Sequence, residues 1–240
     1  GYNIASSMSP HGGPTLVAIL NILEGYDLAA MGHNSPDYIY TVAMAMKAAF
    51  ADRNALIADP QFTDVPVEWM VSKERSRYWR DRIDAGEPIE PGATPTESPH
   101  TTHVTLVDDA GNCVSLTHSL GVSSGVITPG LGFMYNNSMI NFYPLPGHPN
   151  AIEPGKSRRT GMAPTIIRRD GKPRLVLGSP GASRIITSNV QVILNVLDFG
   201  MSIEYAVYAP RFDCQLNDIR CHMRIPEYVC AEVRKRHPIR

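Results

Sequence analysis

Thr101 opens an alternating stretch directly after a proline-studded run, Gly86-Glu87-Pro88-Ile89-Glu90-Pro91-Gly92-Ala93-Thr94-Pro95-Thr96-Glu97-Ser98-Pro99-His100. A threonine hydroxyl is a poor nucleophile unless a base sits beside it. If the peptide bond before Thr101 is cut, the new α-amino group becomes that base, held close by the residue's own covalent frame. An α-amine titrates at roughly 8, well below lysine, so it accepts a proton near neutral pH. Prolines exclude the preceding run from helix interiors and central strands, which makes it an exposed, extended segment. Such a segment leaves the His100–Thr101 peptide free to distort toward the threonine's own hydroxyl. The same junction also fits a domain linker followed by a residue of good β-propensity.

Other patterns point elsewhere. Gly121-Val122-Ser123-Ser124-Gly125 fits the GxSxG spacing of a serine esterase, whose nucleophile elbow needs a strand before it and a helix after it. Here Val126-Ile127-Thr128-Pro129-Gly130 follows, β-branched residues and then a helix-breaking pair, so no elbow is expected. His100 and His103 straddle the junction, but no third ligand stands nearby at metal-site spacing. No metal and no cofactor is expected. Cys113, Cys214, Cys221 and Cys230 have neither CxxC spacing nor the density of a disulfide scaffold, and are expected as free thiols.

The elements that must position these residues fall into two regimes that meet near residue 100. Before it the pattern is helical. Pro14 to Glu24 reads as an apolar helix with proline in its first turn. Ser35 caps a long helix through Tyr38, Val42, Met46 and Phe50, and Ser72 caps a charged one ending near Asp84-Ala85-Gly86. From Thr101 the period changes to two. Thr101–Val107 and Cys113–Thr117 read as strands joined by the turn Asp108-Asp109-Ala110-Gly111-Asn112. Further strands are expected at Phe133–Tyr135, Thr165–Arg169 and Arg174–Gly178, then a helix from Ser183 through Val196 and another from Ser202 to Pro210. Hairpins followed by helices predict an α+β layered fold.

At 240 residues the chain can bury one large core or two smaller ones. Its formal net charge of −1 gives no electrostatic reason to expect nucleic acid or an acidic membrane as partner. No apolar run approaches a membrane span, so no transmembrane segment is expected in this chain. Starting at Gly1 and ending in a basic run at Arg240, the chain reads as part of a longer protein.

Thr101-Thr102-His103-Val104-Thr105-Leu106-Val107-Asp108-Asp109-Ala110-Gly111-Asn112 resembles the start of the small subunit of γ-glutamyltranspeptidases. Four more segments resemble that family in order and spacing. They are Tyr135-Asn136-Asn137-Ser138-Met139; Pro154-Gly155-Lys156 leading to Met162-Ala163-Pro164-Thr165; Gly178-Ser179-Pro180-Gly181-Ala182-Ser183-Arg184-Ile185-Ile186; and Ala209-Pro210-Arg211-Phe212. Upstream, Gly12-Gly13-Pro14 and Ala51-Asp52-Arg53 resemble the end of the large subunit.

The resemblance implies a four-layer αββα sandwich of the N-terminal-nucleophile hydrolase type. Residues 1–100 would be the C-terminal part of the large-subunit region and 101–240 the small-subunit region. It implies self-cleavage between His100 and Thr101, giving a heterodimer from one precursor. Thr101 would then take an acyl group from a small-molecule amide, such as the γ-glutamyl group of glutathione, and pass it to water or an amine. Ser119 stands where the family has a second threonine hydroxyl supporting the nucleophile. Gly181 and Ala182 match the glycine pair whose backbone N–H groups hold the oxyanion, a role that alanine fills if its φ is negative.

Several matches depart from the family in the substrate pocket. Asn141 replaces an aspartate that pairs with the substrate's α-ammonium, and Thr160-Gly161 replaces a serine pair on the α-carboxylate. Gly121 replaces an asparagine, and Ser138 a glutamine. The family's carboxylate-binding arginine falls in a part of the large subunit outside this chain. These departures admit a relative acting on other acyl amides, like the cephalosporin acylases of the family, or a catalytically inactive scaffold. Many members are exported, which favours a periplasmic or extracellular setting.

Overall fold

The computed structural model describes residues 1–92 and 100–240; the expected extended segment falls partly on 93–99, outside the described residues. In chain order the first elements are β1 (Asn3–Ser6), α1 (Gly13–Leu23), α2 (Leu28–Met31), α3 (Pro36–Leu56), α4 (Val67–Met70) and α5 (Lys73–Asp84). Next come β2 (Thr101–Val107), β3 (Cys113–Ser119), β4 (Val122–Ile127), β5 (Met134–Asn137), β6 (Thr165–Arg169) and β7 (Lys172–Leu177). The chain closes with α6 (Arg184–Leu197), α7 (Ile203–Tyr208), β8 (Phe212–Asp213), β9 (Arg220–Cys221) and α8 (Glu227–Arg234). The mixture is α+β, with every helix and strand expected from the sequence present to within a few residues. It adds β1, β4, β8, β9 and α8, along with the one-turn helices α2 and α4.

The residues sort into two compact units. One comprises Gly1–Pro14, Leu56–Val65 and Pro95–Ile186; the other comprises Thr15–Ala55, Pro66–Thr94 and Thr187–Arg240. The second unit is helical, and its core follows from the four-residue step of α3: Tyr38, Val42, Met46 and Phe50 are all buried. Ser35 and Ser72 cap as expected, their hydroxyls accepting from Tyr38 N at 3.1 Å and Arg75 N at 3.0 Å. Asp52 ties α3 to α5, accepting from Arg75 Nε at 3.0 Å and Trp79 Nε1 at 2.8 Å. The Gln191 amide clamps both backbone groups of Phe212, N–H at 3.0 Å and C=O at 2.8 Å.

The first unit contains the sheet β1–β6–β7, antiparallel throughout, and the hairpin β2–β3. The hairpin lies on β7 through its polar side: Ser115 Oγ donates to Leu177 O at 2.9 Å. His103 bridges Thr117 Oγ1 and Thr105 Oγ1, each at 2.9 Å, with its ring against Gly178. The opposite side, carrying Val104, Leu106, Val114 and Leu116, is exposed.

Candidate active site

Turn chemistry sets the register that builds this site. Asp108 accepts from the Asn112 backbone N–H at 2.8 Å and from its side-chain amide at 2.7 Å, while Gly111 takes φ +81°. This five-residue turn makes Val107 oppose Cys113, and strand pairing then carries Thr101 opposite Ser119 at the far end. A slip of one residue would turn Ser119 to the other face.

At that end Thr101 Oγ1 lies 2.9 Å from Ser119 Oγ. Ser119 Oγ also donates to the His100 carbonyl at 3.2 Å and accepts from Gly121 N–H at 3.0 Å. A hydroxyl has one proton and two lone pairs. With its proton on His100 O and one lone pair taken by Gly121, Ser119 must accept from Thr101, so Thr101 is the donor of that pair. Leu120 N–H donates to the same His100 carbonyl at 3.0 Å. The carbonyl before Thr101 is therefore polarised by two donors while the Thr101 hydroxyl points its proton at an acceptor. That arrangement suits attack by Thr101 on its own preceding peptide.

Gly121 sits at φ +67°, and a Cβ there would come 2.7 Å from Ser138 Oγ. The left-handed turn and the close approach together bring Ser138 beside the Thr101–Ser119 pair. A cavity of about 380 Å³ opens here. Its wall includes Ser119, Asn136, Ser138 and Met139, and also His11, Lys156, Arg158 and Thr160. Thr160 is fixed by its backbone N–H to Pro10 O at 3.0 Å, and its Oγ1 accepts from Met162 N–H at 3.3 Å. Burial, opposed by a backbone hydrogen bond to Met8 and reinforced by Arg158, holds His11 below the usual imidazole range.

Other expected site residues stand apart from this wall. Asn141 ends the 3-10 turn Ser138–Asn141, is buried, and its carbonyl accepts from Asn150 Nδ2 at 2.8 Å. Gly161 is buried with its carbonyl close to Gly12. Gly181 and Ala182 form the turn that opens α6, their carbonyls accepting from Arg184 N and Ile185 N at 3.1 and 3.3 Å. The condition for Ala182 to serve as an oxyanion donor, a negative φ, is not met: its φ is +59°, a left-handed conformation that disfavours any side chain.

The GxSxG stretch is strand β4, with Ser123 paired to Asn136, and no helix follows it. The elbow is absent, as its context required. Sequence reasoning missed Asn150, fully buried, which joins the Asn141 carbonyl to Arg159 N–H at 2.9 Å, Arg159 following directly on Arg158 of the cavity wall. Nothing in its local pattern signals that role. It also missed Arg158, for which three bases in the four residues Lys156–Arg159 were an available signal.

Residues 1–238 match the family described as Gamma-glutamyltranspeptidase. The Acylase ACY 1 proenzyme of Pseudomonas sp. (strain V22) is 41% identical over 234 residues, covering 95% of this chain and 42% of that protein. The Glutathione hydrolase proenzyme of Pseudomonas sp. (strain A14) is 38% identical over 233 residues, 90% of this chain and 40% of that protein. The crystal structure of cephalosporin acylase from Bacillus halodurans superposes with a TM-score of 0.85 at 26% identity, over 100% of this chain and 44% of that one. The chain thus spans about two fifths of the length of the curated relatives it matches. A threonine–serine pair at a polarised peptide, on an α+β fold shared with an acylase and with sequence similarity running almost end to end, places this chain in the gamma-glutamyltranspeptidase family, a family of hydrolases and transferases.

Proposed function

We propose that this chain is the catalytic part of a self-processing N-terminal threonine amidohydrolase and acyltransferase. The observation that carries the reading is the Thr101 hydroxyl 2.9 Å from Ser119, beside a His100 carbonyl held by two donors. Thr101 Oγ attacks the His100 carbonyl carbon, and its proton is relayed by way of Ser119 to the Thr101 nitrogen as the C–N bond breaks. This leaves His100 esterified to Thr101 Oγ; water then hydrolyses the ester, releasing His100 as a carboxylate and restoring the Thr101 hydroxyl. The freed α-amine of Thr101 is then the base for the second reaction. The Thr101 hydroxyl attacks the amide carbonyl of a γ-glutamyl substrate such as glutathione, and the amine product leaves. The acyl-Thr101 ester passes its acyl group to water or an amine. Gly181 would supply an oxyanion donor through its backbone N–H, while Ala182 at φ +59° does not meet the condition for sharing that role, and the two fragments would stay together as one heterodimer.

A second reading, other acyl amides in place of γ-glutamyl ones, draws on Asn141, Thr160, Gly161, Gly121 and Ser138. Exchanging a carboxylate for the neutral amide of Asn141 removes a charge-assisted contact worth about 1.5–3 kcal/mol. That weakens a γ-glutamyl preference by roughly one to two orders of magnitude.

The test is incubation of the cleaved full-length protein with γ-glutamyl and other acyl anilides, followed by intact mass. Anilide release with a transient acyl mass on the fragment beginning at Thr101, absent in Thr101→Ala, supports the reading. Release that persists in Thr101→Ala refutes it.

A further inference from the structure

Three of the four cysteines gather in the helical unit, away from the nucleophile, and all are free thiols. Cys214 follows β8, Cys221 ends β9 and Cys230 lies in α8. Strand pairing sets Phe212, which is buried, opposite Cys221, and Cys221 is the better covered residue of its strand, with Arg220 exposed. The connection from β9 to α8 is short and held: Ile225 N–H donates to His222 O at 2.9 Å and Val229 N–H to Pro226 O at 3.0 Å. Val229, Cys230 and Val233 make the buried face of α8. Cys230 thereby meets Cys221, and the two thiols share a hydrogen bond. Cys214, fully buried, instead donates its thiol to Leu216 O at 3.6 Å. Among the described residues no group of three or more His, Cys, Asp or Glu side chains could hold a metal ion. What the fold brings together here is a pair of thiols in contact, with eight residues between them.

We infer that Cys221 and Cys230 are a disulfide-forming pair, a redox site that staples α8 to β9. Through β9 the staple reaches the last residues of the chain: Ile219 N–H donates to Pro238 O at 2.9 Å, and Cys221 N–H to Arg240 O at 2.8 Å. Thiols already in hydrogen-bond contact need only a small closing movement to reach the S–S length of about 2.05 Å. The oxidant is a low-molecular-weight disulfide such as oxidised glutathione. Cys221, more exposed than Cys230, attacks one of its sulfurs as the thiolate and releases one glutathione thiolate, leaving a mixed disulfide. The Cys230 thiolate then attacks Cys221 Sγ and expels the second glutathione thiolate. Two protein thiols are oxidised to one S–S bond, one disulfide is reduced to two thiols, and the two protons pass to the leaving thiolates. Burial, reinforced by the Cys230 thiol beside it, pushes the Cys221 thiol up to about 12, so thiolate is scarce near neutral pH and exchange runs toward the slow end of seconds to hours. The inference is independent of the acyl-transfer reading.

The experiment incubates the folded full-length protein with oxidised glutathione, caps remaining thiols with N-ethylmaleimide and maps tryptic peptides by mass without reduction. Trypsin cuts after Arg220, Arg224 and Arg234, which separates the two cysteines and leaves Cys214 on a third peptide. The expected product is the peptide 221–224 joined to the peptide 225–234, with the Cys214 peptide carrying the cap. The joined product persists in Cys214→Ser and is absent in Cys230→Ser; the wild-type map alone decides if a variant does not fold. Hydrogen exchange of the α8 amides should be slower in the oxidised protein than in the reduced one, by about tenfold or more. Capped Cys221 and Cys230 after incubation, glutathione left on Cys221 without linkage, or Cys214 joined to either of them overturns the inference. A linked pair that leaves α8 exchange unchanged overturns the staple.

Discussion

Replacing Ser119 by alanine deletes one hydroxyl that holds three positions at once: Thr101 Oγ1 at 2.9 Å, the His100 carbonyl at 3.2 Å and Gly121 N–H at 3.0 Å. In the attack on the His100 carbonyl, that oxygen becomes an oxyanion. Removing one preorganised donor to such an oxygen costs about 2.7–4 kcal/mol, or 10²–10³ in rate. Leu120 N–H, at 3.0 Å, remains on the same oxygen and is the shorter of the two bonds, so the lower end of that range applies. Ser119→Ala should therefore slow self-cleavage by about 100-fold. The fold loses the acceptor for Gly121 N–H together with the part-exposed bonds to Thr101 and His100, about 1–2 kcal/mol in all, which lowers the melting temperature by roughly 2–8 °C. The assay is a time course of intact mass after cell-free synthesis of the full-length protein, with thermal melting alongside. Ser119→Thr keeps the hydroxyl and should cleave near the wild-type rate. Wild-type cleavage by Ser119→Ala, or equally slow cleavage by the threonine variant, would refute the assigned role.

Three further outcomes follow from the geometry. Gly178→Ala places a methyl 2.2 Å from His103 Cε1, and the ring can retreat only by giving up its bonds to Thr105 and Thr117; denaturant titration should show a loss of about 1–3 kcal/mol. Ala182→Gly relieves a left-handed alanine, and after the glycine's extra unfolded-state freedom it should gain about 0.5–1 kcal/mol in the same titration. Burial holds His103 below the ordinary imidazole range, so the unfolded chain binds the proton more readily. Stability is then complete above about pH 6.5 and falls as pH drops through the folded-state value. Melting from pH 7.5 down to 5 should be less steep in His103→Gln, though not flat, because burial holds His11, His33 and His237 down in the same way.

Much of this site was legible because local chemistry specifies it. The Asp108–Asn112 turn fixes the hairpin register, and the register alone places Thr101 against Ser119. Serine caps at Ser35, Ser72 and Ser202 mark helix starts that the structure reproduces. What stayed hidden depends on contacts distant in sequence. Period-two alternation identifies β2 and β3 as strands but does not say which side is covered, and here the polar side meets β7. The two-residue strands β8 and β9 are too short to show any period. Asn150 acquires its role only when the Asn141 and Arg159 backbones come to it. The left-handed Ala182 was also unforeseeable, since alanine carries no signal for positive φ.

The central claim is tested most directly by the intact mass of the purified full-length gene product after incubation near neutral pH, beside its Thr101→Ala variant. The account predicts two fragments whose masses meet between His100 and Thr101 in the wild type, and one uncut chain in the variant. An uncut wild-type chain would contradict it and leave a catalytically inactive scaffold as the reading to pursue.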